Sequence, residues 1–286
     1  MGHASAAMTG RAPLGLLLAS VLAAVTTPAV AQWPEYRARG VLRQPDGSVN
    51  LEAPAPRTPD GHPDLTGVWD RVGPGGQNPD FAALQSKDGG PPQATFWSLG
   101  AGFREGLPYQ PLAGQLRAER MSNNQKNNPD AHCLPMGLMQ LHLHPQPRKV
   151  VQTRDLIVIM YEGNQGLRQI FLDGRPLPVA GDDLQPWWYG YSVGHWEGDT
   201  LVVETVGFRD DVWLDVQGSP LTGRGKLTER YKRPNLGSLQ IDVTVEDPAA
   251  YTHPFSVRVN QKLAADTELI EFICNENEKS ARHFDP

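Results

Sequence analysis

From Lys149 to the C-terminus the chain is a succession of short β-branched runs separated by turn residues. Strands are read at 150–153, 156–161, 168–172, 191–196, 200–206, 226–232, 239–246, 256–263 and 268–274, with Arg154-Asp155, Asp173-Gly174, Glu197-Gly198-Asp199 and Ala265-Asp266 among the reversals. Runs bounded this way pair with their sequence neighbours as antiparallel hairpins. No helical crossover stretch intervenes after residue 149, which argues against a parallel sheet. Adding residues 65–69 as a first strand gives about ten strands, and closing them on themselves removes the exposed edges that so many would otherwise leave. The expected fold class is mainly β: an antiparallel up-and-down barrel or strongly curled sheet, with a short helix at 112–121 and long loops before residue 149.

The N-terminus points to export. Arg11 precedes an apolar run over 14–25, and Ala29-Val30-Ala31 supplies the small-residue cleavage site of a secretory signal before Gln32. Thr26, Thr27 and Pro28 end the run well short of the roughly 20 apolar residues of a membrane-spanning helix. The expected organisation is a signal peptide at 1–31, an extended Pro-rich segment at 32–63 and one barrel domain at 64–286. The localisation is then periplasmic or secreted, with no membrane span after cleavage. Cys133 and Cys274 are the only cysteines, and in an exported chain such a pair reads as a disulfide. The formal charge of −6 comes with no basic stripe, which argues against a nucleic-acid groove. Nucleotide loops of the Gly-x-Gly-x-x-Gly or Gly-Lys-Ser/Thr type are missing from the sequence, so no cofactor is expected.

Four segments carry a resemblance: Pro59-Asp60-Gly61-His62-Pro63-Asp64-Leu65-Thr66-Gly67-Val68-Trp69, Cys133-Leu134-Pro135-Met136-Gly137, Asp173-Gly174-Arg175, and Gly194-His195-Trp196-Glu197-Gly198-Asp199-Thr200-Leu201-Val202-Val203-Glu204-Thr205. Together they resemble a family of exported bacterial proteins that brings no established reaction. The resemblance covers most of the chain after residue 31, and the last segment is its most specific part. The chain departs from the family's pattern at Tyr191, where His is usual, and at His195, where Arg is usual. Separately, Gly67-Val68-Trp69 is similar to the Gly-x-Trp that opens lipocalin-type barrels, which implies a ligand-holding barrel.

The 191–205 hairpin supplies the main site candidates. A three-residue turn over Glu197-Gly198-Asp199 sets Trp196 opposite Thr200 and Ser192 opposite Glu204, so alternation puts Ser192, Gly194, Trp196 and Glu204 on one face. That face is expected to line the lumen, because it joins an aromatic wall, a glycine gap and a carboxylate. A slip of one residue exchanges the faces and brings Tyr191 and His195 inside. Glu162 and Arg168 flank the loop at 163–167 as an expected ion pair, fixing the barrel rim or holding a carboxylate, with Glu229, Arg230 and Arg233 extending the network. His142 and His144, with His132 upstream, are the nearest approach to a metal motif, but no clear third ligand accompanies them, and no metal site is assigned. Aromatic residues cluster at Trp187-Trp188-Tyr189 and at Tyr251-Thr252-His253-Pro254-Phe255, as a pocket mouth or as packing against the barrel end.

Three functions fit this pattern. The first is binding of a small hydrophobic or aromatic-ring ligand, with Trp196, Trp188, Tyr191 and Ser192 around it and Glu204 or Arg168 as polar anchor. The second is a cofactor-free lyase, isomerase or hydrolase in the same cavity, with Glu204 or Glu162 as base and His195, His253 or Tyr251 as acid. The third is an envelope scaffold with a filled barrel.

Overall fold

The computed structural model describes residues 36–38, 40–179 and 184–276, so the signal sequence expected at 1–31 lies outside the described residues. The chain divides into residues 1–36 and 37–286, and every element below belongs to the second unit.

Nine strands close into a barrel in sequence order: β1 (Gly67–Val72), β2 (Arg148–Gln152), β3 (Leu156–Tyr161), β4 (Leu167–Phe171), β5 (Tyr191–Glu197), β6 (Thr200–Val206), β7 (Lys226–Asn235), β8 (Ser238–Glu246) and β9 (Phe255–Leu263). The expected mainly-β barrel is what forms. β9 returns to pair with β1, matching Trp69 with Leu263 and Val72 with Asn260. A cylinder with an odd number of strands cannot alternate direction all the way round. The mismatch falls between β4 and β5, which run parallel over Ile170–Ser192 and Phe171–Val193. The expectation that all neighbours are antiparallel fails there, because the chain after β4 returns to the starting end before β5 begins.

Two other expectations change. Residues 267–273 form no strand. Instead this stretch climbs the outside of the barrel, held by Lys149 on Glu268, by the Ile270 amide on Glu162 Oε2 (3.0 Å), and by the Cys133–Cys274 disulfide. Secondly, the hairpin between β5 and β6 turns in two residues, with Gly198 (φ 60°) in the position that favours glycine in a tight reversal. Glu197 therefore pairs with Thr200, Trp196 with Leu201, and Ser192 with Thr205. Relative to a three-residue turn this moves β6 by one residue, and its side chains change sides.

The strands alternate between lumen and exterior. On β7, Leu227, Glu229, Tyr231 and Arg233 point inward, and on β8 Leu239, Ile241, Val243 and Val245 do so. At the end where β1 begins, Trp69 is fully buried, its indole N–H donates to the Leu65 carbonyl (3.0 Å), and the Arg233 guanidinium lies 4.7 Å from a ring centroid. Residues 40–63 form no strand or helix, in keeping with their prolines, yet they are not merely superficial. Leu51 and Ala53 accept backbone hydrogen bonds from Gly237 and Leu236, and Val41, Val49 and Leu51 pack on the core.

The opposite end carries the long insertion between β1 and β2. Its helices are α1 (Phe81–Leu84), α2 (Pro111–Ser122) and α3 (Leu138–Leu143). α2 matches the expected helix to within a residue at each end. All six residues of α3 are buried, as suits a helix apolar on nearly every side. It plugs this end of the lumen. An added Cβ on Gly137 would lie 2.7 Å from Val212 Cγ1 and nearer still to the Trp213 carbonyl, so only glycine permits this approach.

Candidate functional site

Under the plug helix the inner wall is polar. Arg168 from β4, Ser192 from β5, Thr205 from β6, Glu229 and Tyr231 from β7, and His142 from α3 form one hydrogen-bonded cluster, each at most 3% exposed. The two-residue hairpin turn is what places Ser192 and Thr205 side by side, 2.9 Å apart. Arg168 donates Nη1 to Glu229 Oε1 (3.0 Å) and Nη2 to Glu229 Oε2, a bidentate pair, and also donates Nη2 to Thr205 (2.9 Å) and to Ser192 (3.0 Å). Glu229 Oε1 accepts further bonds from His142 Nε2 and from the Tyr231 hydroxyl, both at 2.8 Å.

Electrostatics fix the protonation states. Burial pushes the Glu229 carboxyl up, but the Arg168 charge and the bonds from His142 and Arg168 outweigh it and hold the group well below the usual carboxylate range. Burial likewise opposes the Arg168 charge, and Glu229 more than restores it. Burial lowers the His142 imidazole, so the ring is neutral near pH 7. An ionised Glu229 only accepts, so Nε2 carries the His142 proton and Nδ1 is a bare acceptor. The cluster is a satisfied ion pair with a neutral histidine attached. A buried pair of this kind is costly to desolvate and costlier still to break.

The sequence-predicted residues fall into three groups. Arg168 and Ser192 meet in the lumen. The expected Glu162–Arg168 pair does not form: Glu162 sits at the rim beyond β3, holding the C-terminal stretch, and Arg168 takes Glu229 instead. A second group faces outward: Glu204, contrary to the lumen face drawn from a three-residue turn, and His195 and Tyr191, which that turn already set on the opposite face. Glu204 pairs with Lys226, His195 lies 3.4 Å from Glu197, and the Tyr191 hydroxyl accepts from Arg175 (2.9 Å) while its ring stacks on Phe171. Trp196 does share the inner register, but its ring is stacked flat on His62 at 4.6 Å and so occupied by the N-terminal segment. His142 and His144 do not share a side: His142 is in α3, and His144, just past it, packs edge-on to Phe96. No group of three or more metal-binding side chains is found among the described residues.

The third group gathers at the plug-helix end of the barrel. A cleft of about 770 Å³ there is lined by Leu184, Pro186, Phe208, Arg209, Asp210 and Arg224, among others. A second, of about 370 Å³, is lined by Tyr251, His253 and Lys226 and shares Arg224 and Pro248 with the first. Trp187, 48% exposed, lies beside Gly207, which lines the larger cleft. Arg209 covers Trp188 at 4.5 Å. Tyr251 is buried and donates to the Pro220 carbonyl (2.9 Å), and His253 Nδ1 is 3.1 Å from Thr252 Oγ1. The 251–255 segment thus lines the smaller cleft through Tyr251, Thr252, His253 and Pro254, the 187–189 segment lies next to the Gly207 wall of the larger, and the two clefts meet at Arg224 and Pro248.

Sequence reasoning missed α3, Thr205 and Tyr231, and did not see His142 as a lumen residue. Inward alternation along 226–235 was the available signal for Tyr231 beside Glu229. Compared with known proteins, the chain matches no family model, no curated protein and no solved structure.

Proposed function

We propose that this protein is exported and binds a small ring-bearing molecule at the plug-helix end of its barrel. The observation that carries this reading is the pair of clefts that meet at Arg224 and Pro248, the smaller lined by Tyr251 and His253 and the larger walled by Phe208 and by Gly207, beside which Trp187 lies. Their size suits a drug-sized molecule, and the lining mixes Phe208, Leu184 and Pro186 with a few charged groups, as small-molecule sites do. Trp187, 48% exposed beside the larger cleft, is the indole proposed for stacking, whereas Trp188 is already covered by Arg209. Arg224 is exposed between the clefts and supplies the polar anchor. The barrel then serves as a rigid mount for these loops. Export is supported by the leader pattern at 1–31 and by the disulfide, since such bonds persist in oxidising compartments.

Acid–base catalysis by Glu204, Glu162, His195, His253 and Tyr251 draws no support from the geometry, because Glu204 and His195 lie on the barrel exterior and Tyr251 and His253 border the smaller cleft without either carboxylate in its lining. The test is native mass spectrometry of the purified protein for a carried small molecule, then titration of that molecule, or of a panel of ring-bearing acids and phenols, against wild type and Trp187→Ala. Loss of a stacking ring worth about 1 kcal/mol predicts affinity weaker by about fivefold, with unchanged melting temperature. Equal affinities in the two proteins, or no binder in the panel and no carried molecule, overturn the reading.

A further inference from the structure

Another cleft, of about 410 Å³, opens at the other end of the barrel, where residues 54–63 meet the start of β6 and the end of β7. Its lining carries three cations, Arg57, Lys232 and Arg233, against one carboxylate, Asp199. That carboxylate is already taken: Arg57 donates to both of its oxygens, from Nη1 at 2.8 Å and from Nη2 at 2.7 Å. Lys232 and Arg233 are consecutive, yet both line the cleft, because the β7–β8 ladder is irregular after Lys232 and strict alternation lapses there.

Neither of these two cations has a carboxylate of its own. Along the outer face of β7, Lys226 pairs with Glu204 and Arg230 with Glu197. Lys232, the next in that row, is exposed and has no ion pair among the described residues. Arg233 is 5% exposed, and its guanidinium donates to carbonyls: Nη1 to Asp64 and Thr66, Nη2 to Leu236 (2.7 Å). Burial lowers Arg233 to about 10, with Asp64 opposing only through space, so the group stays charged at neutral pH. Carbonyl dipoles take up its N–H groups but cancel no net charge.

We infer that this cleft is a binding site for a small organic dianion of the phosphate-monoester type. The head group accepts from the Lys232 ammonium and the half-buried Thr200 hydroxyl, in the field of Arg233. Two uncompensated cations from consecutive residues call for two negative charges in one place, which a phosphate carries on a single head group and a dicarboxylate spreads over two. Pro54, Pro63 and Pro234 add apolar walls that bring no amide N–H, so the rest of the guest is an apolar body. The site lies at the opposite end of the barrel from the ring-binding clefts, and it stands or falls independently of them.

Titration calorimetry of the full chain with n-butyl phosphate, inorganic phosphate and butyrate at equal ionic strength, at about pH 8 where a phosphate monoester is a dianion, tests the inference. n-Butyl phosphate should bind about tenfold more tightly than inorganic phosphate, through the alkyl chain laid on the prolines, and about fivefold more tightly than butyrate, through the second charge. Lys232→Met should weaken n-butyl phosphate about fivefold at an unchanged melting temperature, Lys232→Arg should retain it, and Trp187→Ala should leave it as in wild type. Equal affinities for the three anions, no measurable binding of n-butyl phosphate, or an affinity undiminished in Lys232→Met overturns the inference. An affinity that falls in Trp187→Ala instead would put the phosphate in the ring-binding clefts and overturn it as well.

Discussion

Removing the charge of Glu229 is the perturbation whose consequence follows most directly from the lumen geometry. Glu229 accepts two bonds from Arg168 and one each from His142 and Tyr231, and it is 0% exposed. Glu229→Gln keeps the volume but strands the Arg168 guanidinium in a closed interior and points an amide N–H₂ at groups that are themselves donors. Breaking a buried pair from one side costs about 3–5 kcal/mol, and Arg168→Met, which strands the carboxylate, costs a similar amount. Loss of both charges together leaves neither group uncompensated, so the double variant should be more stable than the sum of the single costs by about 2–3 kcal/mol. Urea unfolding at pH 7 without reductant, followed by tryptophan fluorescence, measures all four corners of this cycle. A double variant that folds where the single ones do not makes the same point. Single costs below about 1 kcal/mol that add in the double variant would refute the claim that a desolvated ion pair holds the plug-helix end of the lumen together.

Other outcomes follow from particular contacts. Gly137→Ala should cost about 1–3 kcal/mol in the same unfolding assay, because the new methyl meets Val212 and the Trp213 carbonyl where the plug helix docks; no loss would mean that α3 sits further out. Cys133→Ser opens a loop with a sequence separation of 141 residues and should lower stability by up to about 4–5 kcal/mol on chain-entropy grounds, with an undiminished melting temperature as the contrary result. Stability should also fall in mild acid. Burial lowers His144 to about 4 and lowers His142 too, so the unfolded chain, whose histidines titrate near 6.5, takes up more protons as pH drops from about 6.5 to about 4. Urea midpoints that do not change between pH 7 and 4.5 would contradict that assignment.

The barrel was legible because strand alternation and turn residues after position 149 are local signals. The site was less so, for reasons that the residues make plain. Glu197-Gly198-Asp199 is equally good chemistry for a two-residue or a three-residue reversal, and the difference decides whether Glu204 or Thr205 faces the lumen. α3 is short and buried on every side, so it has no apolar period to detect, and Pro145 and Pro147 nearby suggest a loop. Arg168 was visible as a charge inside an apolar strand, but its partner lies 61 residues away on β7, a pairing that only barrel closure brings about. The aromatic segments were visible as clusters. That the clefts beside them meet at Arg224 and Pro248 depends on β5, β7 and β9 all starting at one end of the barrel.

The claim that a ring-bearing guest sits outside the filled lumen is tested most directly by ¹⁹F NMR of protein carrying 5-fluorotryptophan, with resonances assigned by single substitution. On adding the molecule recovered by mass spectrometry, or the tightest binder of the panel, the Trp187 resonance should move while that of Trp69, deep in the barrel, stays fixed. A shift at Trp69 with Trp187 unmoved would place the guest inside the barrel and contradict the account.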